Sequence, residues 1–196
     1  MSPRSGRGTI SFVRPLASAL VAATALALVA AGCGGGASDE EKWAGSVCSD
    51  VATWKQQLQQ QVNDALSTLQ SPGAGTVAVV KTNVQQAADS TKKLASDLKA
   101  LGAPNTDAGA QAKQQLDSLA TQLENTVNHA KQTVAGLPAN ATVSQTVSQL
   151  STLGPALQSL VTNTKTTLAS IQSSSSDLKK GFDKADSCKQ FRSSKG

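Results

Sequence analysis

The 196-residue sequence predicts an all-α protein, an antiparallel up-down four-helix bundle with long coiled-coil-like helices. Three observations support this fold class. Apolar residues recur at steps of three and four over long segments, which is the spacing of one helix face. Short breaks rich in Gly and Pro separate these segments, and short connections place successive helices antiparallel. No segment shows the alternating pattern that is typical of a strand.

The first predicted helix begins at Ser38. Glu41 follows three residues later, which is the spacing of a capping box, and the acidic residues between them favour a helix start. The Ser-Pro-Gly sequence at 71–73 predicts its end. The apolar positions of this helix are Trp43, Val47, Val51, Trp54, Leu58, Val62, Ala65 and Leu69.

Gly and Pro delimit the second and third predicted helices. Gly102 and Pro104 close the second helix, while the third begins near Thr106 or Asp107 and ends at Gly136. The apolar positions of the second are Val77, Val80, Val84, Ala87, Thr91, Leu94, Leu98 and Leu101. Those of the third are Ala112, Leu116, Leu119, Leu123, Val127, Ala130 and Val134.

The last segment is predicted to be kinked or split near Gly154-Pro155, and a separate short helix at 140–154 remains open. Serines at 173–176 disfavour a helix interior, since Ser prefers caps. The apolar pattern nevertheless keeps its phase through them, so we expect one helix, with or without a bend. Its apolar positions are Leu157, Val161, Thr164, Leu168, Ile171, Ser175, Leu178, Phe182 and Ala185.

Residues 1–32 have the organisation of a secretory signal peptide. A basic start is followed by an uncharged run of 16 residues, 16–31, and small residues end it. A transmembrane helix is the alternative, but spanning a bilayer takes roughly 20 residues. Without Arg4, Arg7 and Arg14, the 18 basic side chains fall to 15 against 13 acidic ones, a net charge of +2. We therefore expect no nucleic-acid partner.

The sequence Val29-Ala30-Ala31-Gly32-Cys33 resembles the lipobox of bacterial lipoproteins, although Ala30 stands where the motif usually has Leu. The resemblance implies cleavage between Gly32 and Cys33 and attachment of a diacylglyceryl group to Cys33, with or without acylation of the new amino terminus. It therefore implies export and a lipid anchor on the extracytoplasmic face of the cell membrane. An ordinary secreted protein is the alternative.

The chain as a whole is similar in pattern to small uncharacterised lipoproteins of actinobacteria. The shared features are the export segment, the order Trp43, Cys48, Trp54, and the late Cys188. This group implies no activity for the chain. The expected organisation is a signal peptide at 1–32, a lipidated leash at 33–38, a helical domain at 39–191 and a disordered tail at 192–196.

Cys48 and Cys188 are predicted to form a disulfide. An up-down arrangement of four helices brings the start of the first beside the end of the last, and these two ends carry the two cysteines. An exported protein also folds in an oxidising compartment, where disulfides persist. Two free buried thiols are the alternative.

Candidates for chemistry are few. His129 is the only histidine, and Glu124 precedes it by five residues, which places the two about 140° apart on a helix. We therefore expect no catalytic group, metal or cofactor, and a surface or boundary position for His129. Trp43 and Trp54 share nearly one helix face; they form either a partner-binding pair or, as we favour, part of the core.

Two functions fit these features. The first is a non-enzymatic, membrane-anchored interaction or structural module that presents its surface to an envelope protein or cell-wall partner. The second is an extracytoplasmic bundle that binds or senses a small apolar or lipid-like molecule. The second needs the small residues Ala87, Thr91, Thr164 and Ser175 to leave a cavity rather than pack closely. An apolar cavity above roughly 300 Å³ would favour it.

Overall fold

The computed structural model describes residues 36–73 and 75–192. The predicted signal peptide, the cleavage site, Cys33 and residues 193–196 of the predicted tail lie outside this part. The described residues from Ala37 onward form one compact unit. All regular secondary structure in the described residues is helical, and they contain no strand. None of their helices combines the length and apolar character needed to cross a bilayer.

The helices follow one another with short connections. They are α1 (Asp39–Gln70), α2 (Thr76–Ala100), α3 (Gly109–Ala135), α4 (Val143–Ser151), α5 (Leu153–Ser173), α6 (Ser176–Lys184) and α7 (Lys189–Arg192), with a 3-10 turn at Asp186–Cys188 before α7. The first three agree with the predicted helices to within a few residues. The Ser38 cap is confirmed, because its Oγ accepts a hydrogen bond from the Glu41 amide at 3.2 Å.

The prediction of one helix from Leu157 to Ala185 is wrong. The helix breaks after Ser173, and Ser175 adopts an extended backbone with φ −153° and ψ 160°. Its Oγ accepts a hydrogen bond from the Leu178 amide at 3.1 Å, so Ser175 is the N-cap of α6. Ser175 therefore starts a new helix as its N-cap. This capping preference decides the structure here, although the apolar positions would also fit one continuous helix.

The split predicted near Gly154-Pro155 lies slightly earlier, at Thr152. The hydroxyl of Thr152 donates to the Gln149 carbonyl at 2.7 Å as α4 ends. Pro155 is the third residue of α5, where an amide has no carbonyl partner within the helix. The missing proton of proline is therefore tolerated there.

Helices α1 and α2 form an antiparallel pair joined by two tryptophans. The Trp43 indole donates to the Gly102 carbonyl at 2.8 Å, and the Trp54 indole donates to Thr91 Oγ1 at 2.9 Å. Both indoles are buried in the core. Helix α2 packs on its other side against α3, α3 packs against α5, and α6 returns to α1.

The start of α1 meets the end of the described chain. Cys48 and Cys188 form a disulfide as predicted, with their Cα atoms 5.1 Å apart. Trp43 packs edge-to-face on Phe182, with ring centroids 6.2 Å apart. A Cβ atom on Gly181 would lie 2.7 Å from the backbone oxygen of Glu40, so α6 approaches α1 this closely only because residue 181 has no side chain.

Removal of the disulfide should lower the stability of the domain. The bridge joins residues 140 apart in the sequence, and closing a loop of this size in the unfolded chain corresponds to about 5 kcal/mol at most. Cys48→Ser combined with Cys188→Ser should lower the thermal midpoint measured by circular dichroism. Reductant should lower the midpoint of the native protein but leave that of the double variant unchanged; equal midpoints for both proteins would contradict the prediction.

Two glycines in helices should respond oppositely to alanine. Gly181→Ala should destabilise the domain by about 1–3 kcal/mol, because the new methyl group meets the backbone of α1. Gly45→Ala should stabilise it by about 0.5–1 kcal/mol, because Gly45 lies inside α1, a Cβ there meets Ser187 Oγ at 3.7 Å and Ala185 Cβ at 3.8 Å in ordinary contact, and alanine favours a helix. Denaturant unfolding of both variants measures the difference, and a shift of the same sign in both would refute this account.

Candidate ligand-binding cavity

The apolar core of the domain is interrupted. A large cluster surrounds the disulfide and extends through α1, α2, α3, α5 and α6. A second, smaller cluster at the other end of the domain consists of Val77, Val134, Leu137 and Leu153. A cavity of about 530 Å³ lies between the two, and we call it the apolar cavity.

The apolar cavity exists because the second half of α1 lacks a partner on one side. Helix α6 has only nine residues and covers the first half of α1, and α5 barely contacts α1. As a result, Val62 and Leu66 of α1 are 37% and 51% exposed at the cavity mouth. Val62, one of the apolar positions on the predicted inward face of the first helix, is therefore not enclosed by the core. Val147 of α4 also lines the apolar cavity and is 46% exposed.

The lining of the apolar cavity is almost entirely aliphatic. Helices α1 to α5 all contribute side chains, and none of the described residues that line it carries a charge. The lining residues are Leu58, Gln61, Val62, Ala65, Leu66, Leu69, Gln70, Asn83, Val84, Ala87, Ala88, Thr91, Thr126, Val127, Ala130, Val147, Leu150, Ser151, Leu153, Gly154, Leu157 and Leu160. An environment of this kind favours hydrocarbon over ions or sugars.

The hydroxyl groups of the lining residues donate hydrogen bonds to carbonyl groups of their own helices. Thr91 Oγ1 donates to the Ala87 carbonyl at 2.7 Å, and Thr126 Oγ1 donates to the Gln122 carbonyl at 3.0 Å. Ser151 Oγ donates to the Ser148 carbonyl at 2.7 Å. These donors are therefore not available to a ligand, which makes the surface less polar than its composition indicates.

Of the three side-chain amides in the described lining, two hold a buried atom without a partner. Gln61 Oε1 and Asn83 Nδ2 are buried atoms of the lining, and neither has a hydrogen-bond partner among the described residues. Asn83 as a whole is only 9% exposed. An unpaired buried polar group costs about 1–3 kcal/mol. Neither residue was predicted from the sequence as part of a site, although Asn83 is a polar residue between Val80 and Ala87 on the inward face of α2.

The titratable groups with shifted pKa values lie away from the apolar cavity. Burial raises the pKa of Asp50, with a further contribution from Asp97. Hydrogen bonds from Lys131 and Gln85 lower the pKa of Asp89, which links α2 to α3 on the surface. None of these groups lines the cavity, so its chemistry is that of packing and neutral hydrogen bonds.

The residues singled out from the sequence are distributed over the domain. Ala87 and Thr91 line the apolar cavity, whereas Thr164 is buried and donates to the Leu160 carbonyl at 2.8 Å. Trp54 adjoins the cavity through its hydrogen bond to Thr91, while Trp43 lies at the disulfide end. The small residues were therefore a partial guide to the cavity.

His129 is exposed on α3 and does not line the apolar cavity. Within residues 36–73 and 75–192, no three His, Cys, Asp or Glu side chains form a group suited to a metal ion. A comparison with protein-family models, curated protein sequences and solved structures found no match to this chain.

Proposed function

We propose that this protein is an exported, lipid-anchored, non-enzymatic protein that binds a small apolar or lipid-like molecule in the apolar cavity. The observation that carries the proposal is the cavity's volume of about 530 Å³ together with its uncharged aliphatic lining. Known small-molecule sites span roughly 300–1,000 Å³, are mostly apolar and contain a few placed polar groups. The cavity exceeds the roughly 300 Å³ that distinguishes a binding bundle from a closely packed one.

The proposed architecture is an antiparallel up-down four-helix bundle whose fourth helix is interrupted. Helices α1, α2 and α3 are its first three members, and α4, α5 and α6 together are the fourth. The pairwise packing supports this assignment, because each member contacts the next and α6 contacts α1. Ligand sites of helical bundles are commonly built between facing helices, as the apolar cavity is.

The hydrophobic effect supplies the binding energy in this proposal. Each methylene moved from water into the cavity contributes about 0.8 kcal/mol. The free protein also leaves the exposed Leu66 and Val147 at the mouth in water, and a bound hydrocarbon would cover part of them. A linear or compact apolar molecule would therefore gain affinity with each added carbon until the cavity is full.

The proposed anchor is a lipid on Cys33, inferred from the lipobox resemblance. Helix α1 begins six residues later, at Asp39, and Leu58 is the first residue of α1 to line the apolar cavity. Leu58 is about 29 Å from Asp39 along the helix axis. The apolar cavity therefore lies toward the end of α1 that is remote from Asp39.

A second candidate function is docking of an envelope protein or cell-wall component. The exposed apolar side chains favour it, since Leu66 and Val147 flank the cavity and Val79 is 46% exposed outside its lining. A docked partner would cover Val79 as well, whereas a small ligand in the cavity would not. Binding that depends on Val79 would therefore point to docking.

Ligand binding should depend on chain length and on the volume of the cavity. Alkyl chains carrying a terminal bromine should quench the fluorescence of Trp54, because its indole donates a hydrogen bond to Thr91, a residue of the cavity lining. From octyl to decyl to dodecyl, the dissociation constant should fall roughly tenfold per step. Ala87→Phe should weaken binding at least about tenfold by filling the cavity.

The matched control is Ala78→Phe, on the exposed side of the same helix and outside the lining. It should leave the dissociation constants unchanged. If Ala87→Phe folds and binds the probes as tightly as the native protein, the apolar cavity is not the site.

Substitution of Cys33 should release the protein from membranes. Cys33→Ala removes the thiol that the lipobox resemblance assigns to the diacylglyceryl group. Its fraction in the membrane pellet should fall to a background level, while Cys48→Ser, which affects only the predicted disulfide, should remain in the pellet. Unchanged pelleting of Cys33→Ala would refute the anchor.

A further inference from the structure

We propose that the ligand of the apolar cavity is a single-chain amphiphile with a neutral hydroxyl-bearing head, and that Gln61 and Asn83 bind this head. The inference rests on the proposed function and adds the chemical class of the ligand. The unsatisfied buried polar atoms of the mostly aliphatic lining belong to Gln61 and Asn83, and a fatty alcohol or monoacylglycerol matches that pattern.

The register of α1 and α2 places Gln61 and Asn83 at nearly the same level of the apolar cavity. Eleven residues separate Trp43 from Trp54, and eleven separate their hydrogen-bond partners Thr91 and Gly102, so both bonds belong to one antiparallel register. Gln61 lies seven residues beyond Trp54, about 10 Å along the axis. The same register puts Gln61 opposite Val84, the neighbour of Asn83.

The two unpaired atoms are chemically complementary to a hydroxyl group. Asn83 Nδ2 is a donor and Gln61 Oε1 is an acceptor, and each is buried without a partner among the described residues. A hydroxyl group donates one hydrogen bond and accepts up to two, so a single oxygen within reach of both amides would satisfy both. A pure hydrocarbon would leave both atoms unpaired, at a cost for each.

The described lining has no charged residue that could pair with an ionised head group of the ligand. No lysine, arginine or histidine is among the described lining residues, so a carboxylate or phosphate would have no cationic partner. A carboxylate accepts hydrogen bonds but donates none, and it would face the lone pairs of Gln61 Oε1. Burying an unpaired charge costs far more than burying a paired hydroxyl.

The test compares three molecules with the same ten-carbon chain: decanol, decanoate and decane. Each displaces the brominated probe from the full chain, held in lipid nanodiscs, and affinities refer to the free aqueous concentration. We expect decanol to bind at least about tenfold tighter than decanoate. Asn83→Leu and Gln61→Met are both close in shape to the native residues. Each should lower the affinity for decanol about tenfold and leave the affinity for decane unchanged or higher.

The control variant is Gln57→Met, an exposed glutamine of α1 outside the lining, and it should change none of the three affinities. Equal binding of decanol and decanoate, or decanol binding unaffected by either cavity variant, would overturn the inference while leaving an apolar site in place. Failure of all three molecules to displace the probe would overturn the proposed function as well. A dimer that buries Leu66 and excludes the probe would identify a second copy as the occupant instead.

Discussion

The unequal lengths of α1 and the helix that covers it determine most of this structure. Helix α1 has 32 residues, whereas α6, which packs on its free side, has nine. The first half of α1 is therefore enclosed and contributes Val47, Cys48 and Val51 to the core. From Leu58 onward α6 no longer covers α1, and the aliphatic face of α1 borders the apolar cavity instead.

Much of the fold follows from local patterns in the sequence. Steps of three and four along α1, α2 and α3 identify the helices, and Ser38 identifies the first start because a hydroxyl oxygen can satisfy a free amide there. The position of Cys48 near the beginning of α1 and Cys188 near the end of the chain also sufficed to pair them. These features depend on neighbouring residues or on the order of elements.

The break at Ser175 and the apolar cavity could not be predicted from the period of the apolar residues alone. An apolar repeat shows which face of a helix turns inward, but it does not show whether another helix lies opposite. Leu178 and Phe182 keep the phase set by Ile171, although two residues between the helices are not helical. Val62 likewise occupies a core phase on α1 and is 37% exposed, because the facing segment has already ended.

The disulfide and the apolar cavity stand at opposite ends of the same long helices, and this arrangement has a mechanical consequence. Cys48 and the end of α1 are separated by about 33 Å of helix, so a tilt of about 5° about the covalently fixed end moves the far end by about 3 Å. The entrance can therefore widen through rotation of intact rods, with no loss of helical hydrogen bonds. Under the proposed function, a pivot at the sulfur bridge would link it to the rate of ligand exchange as well as to the stability of the native state.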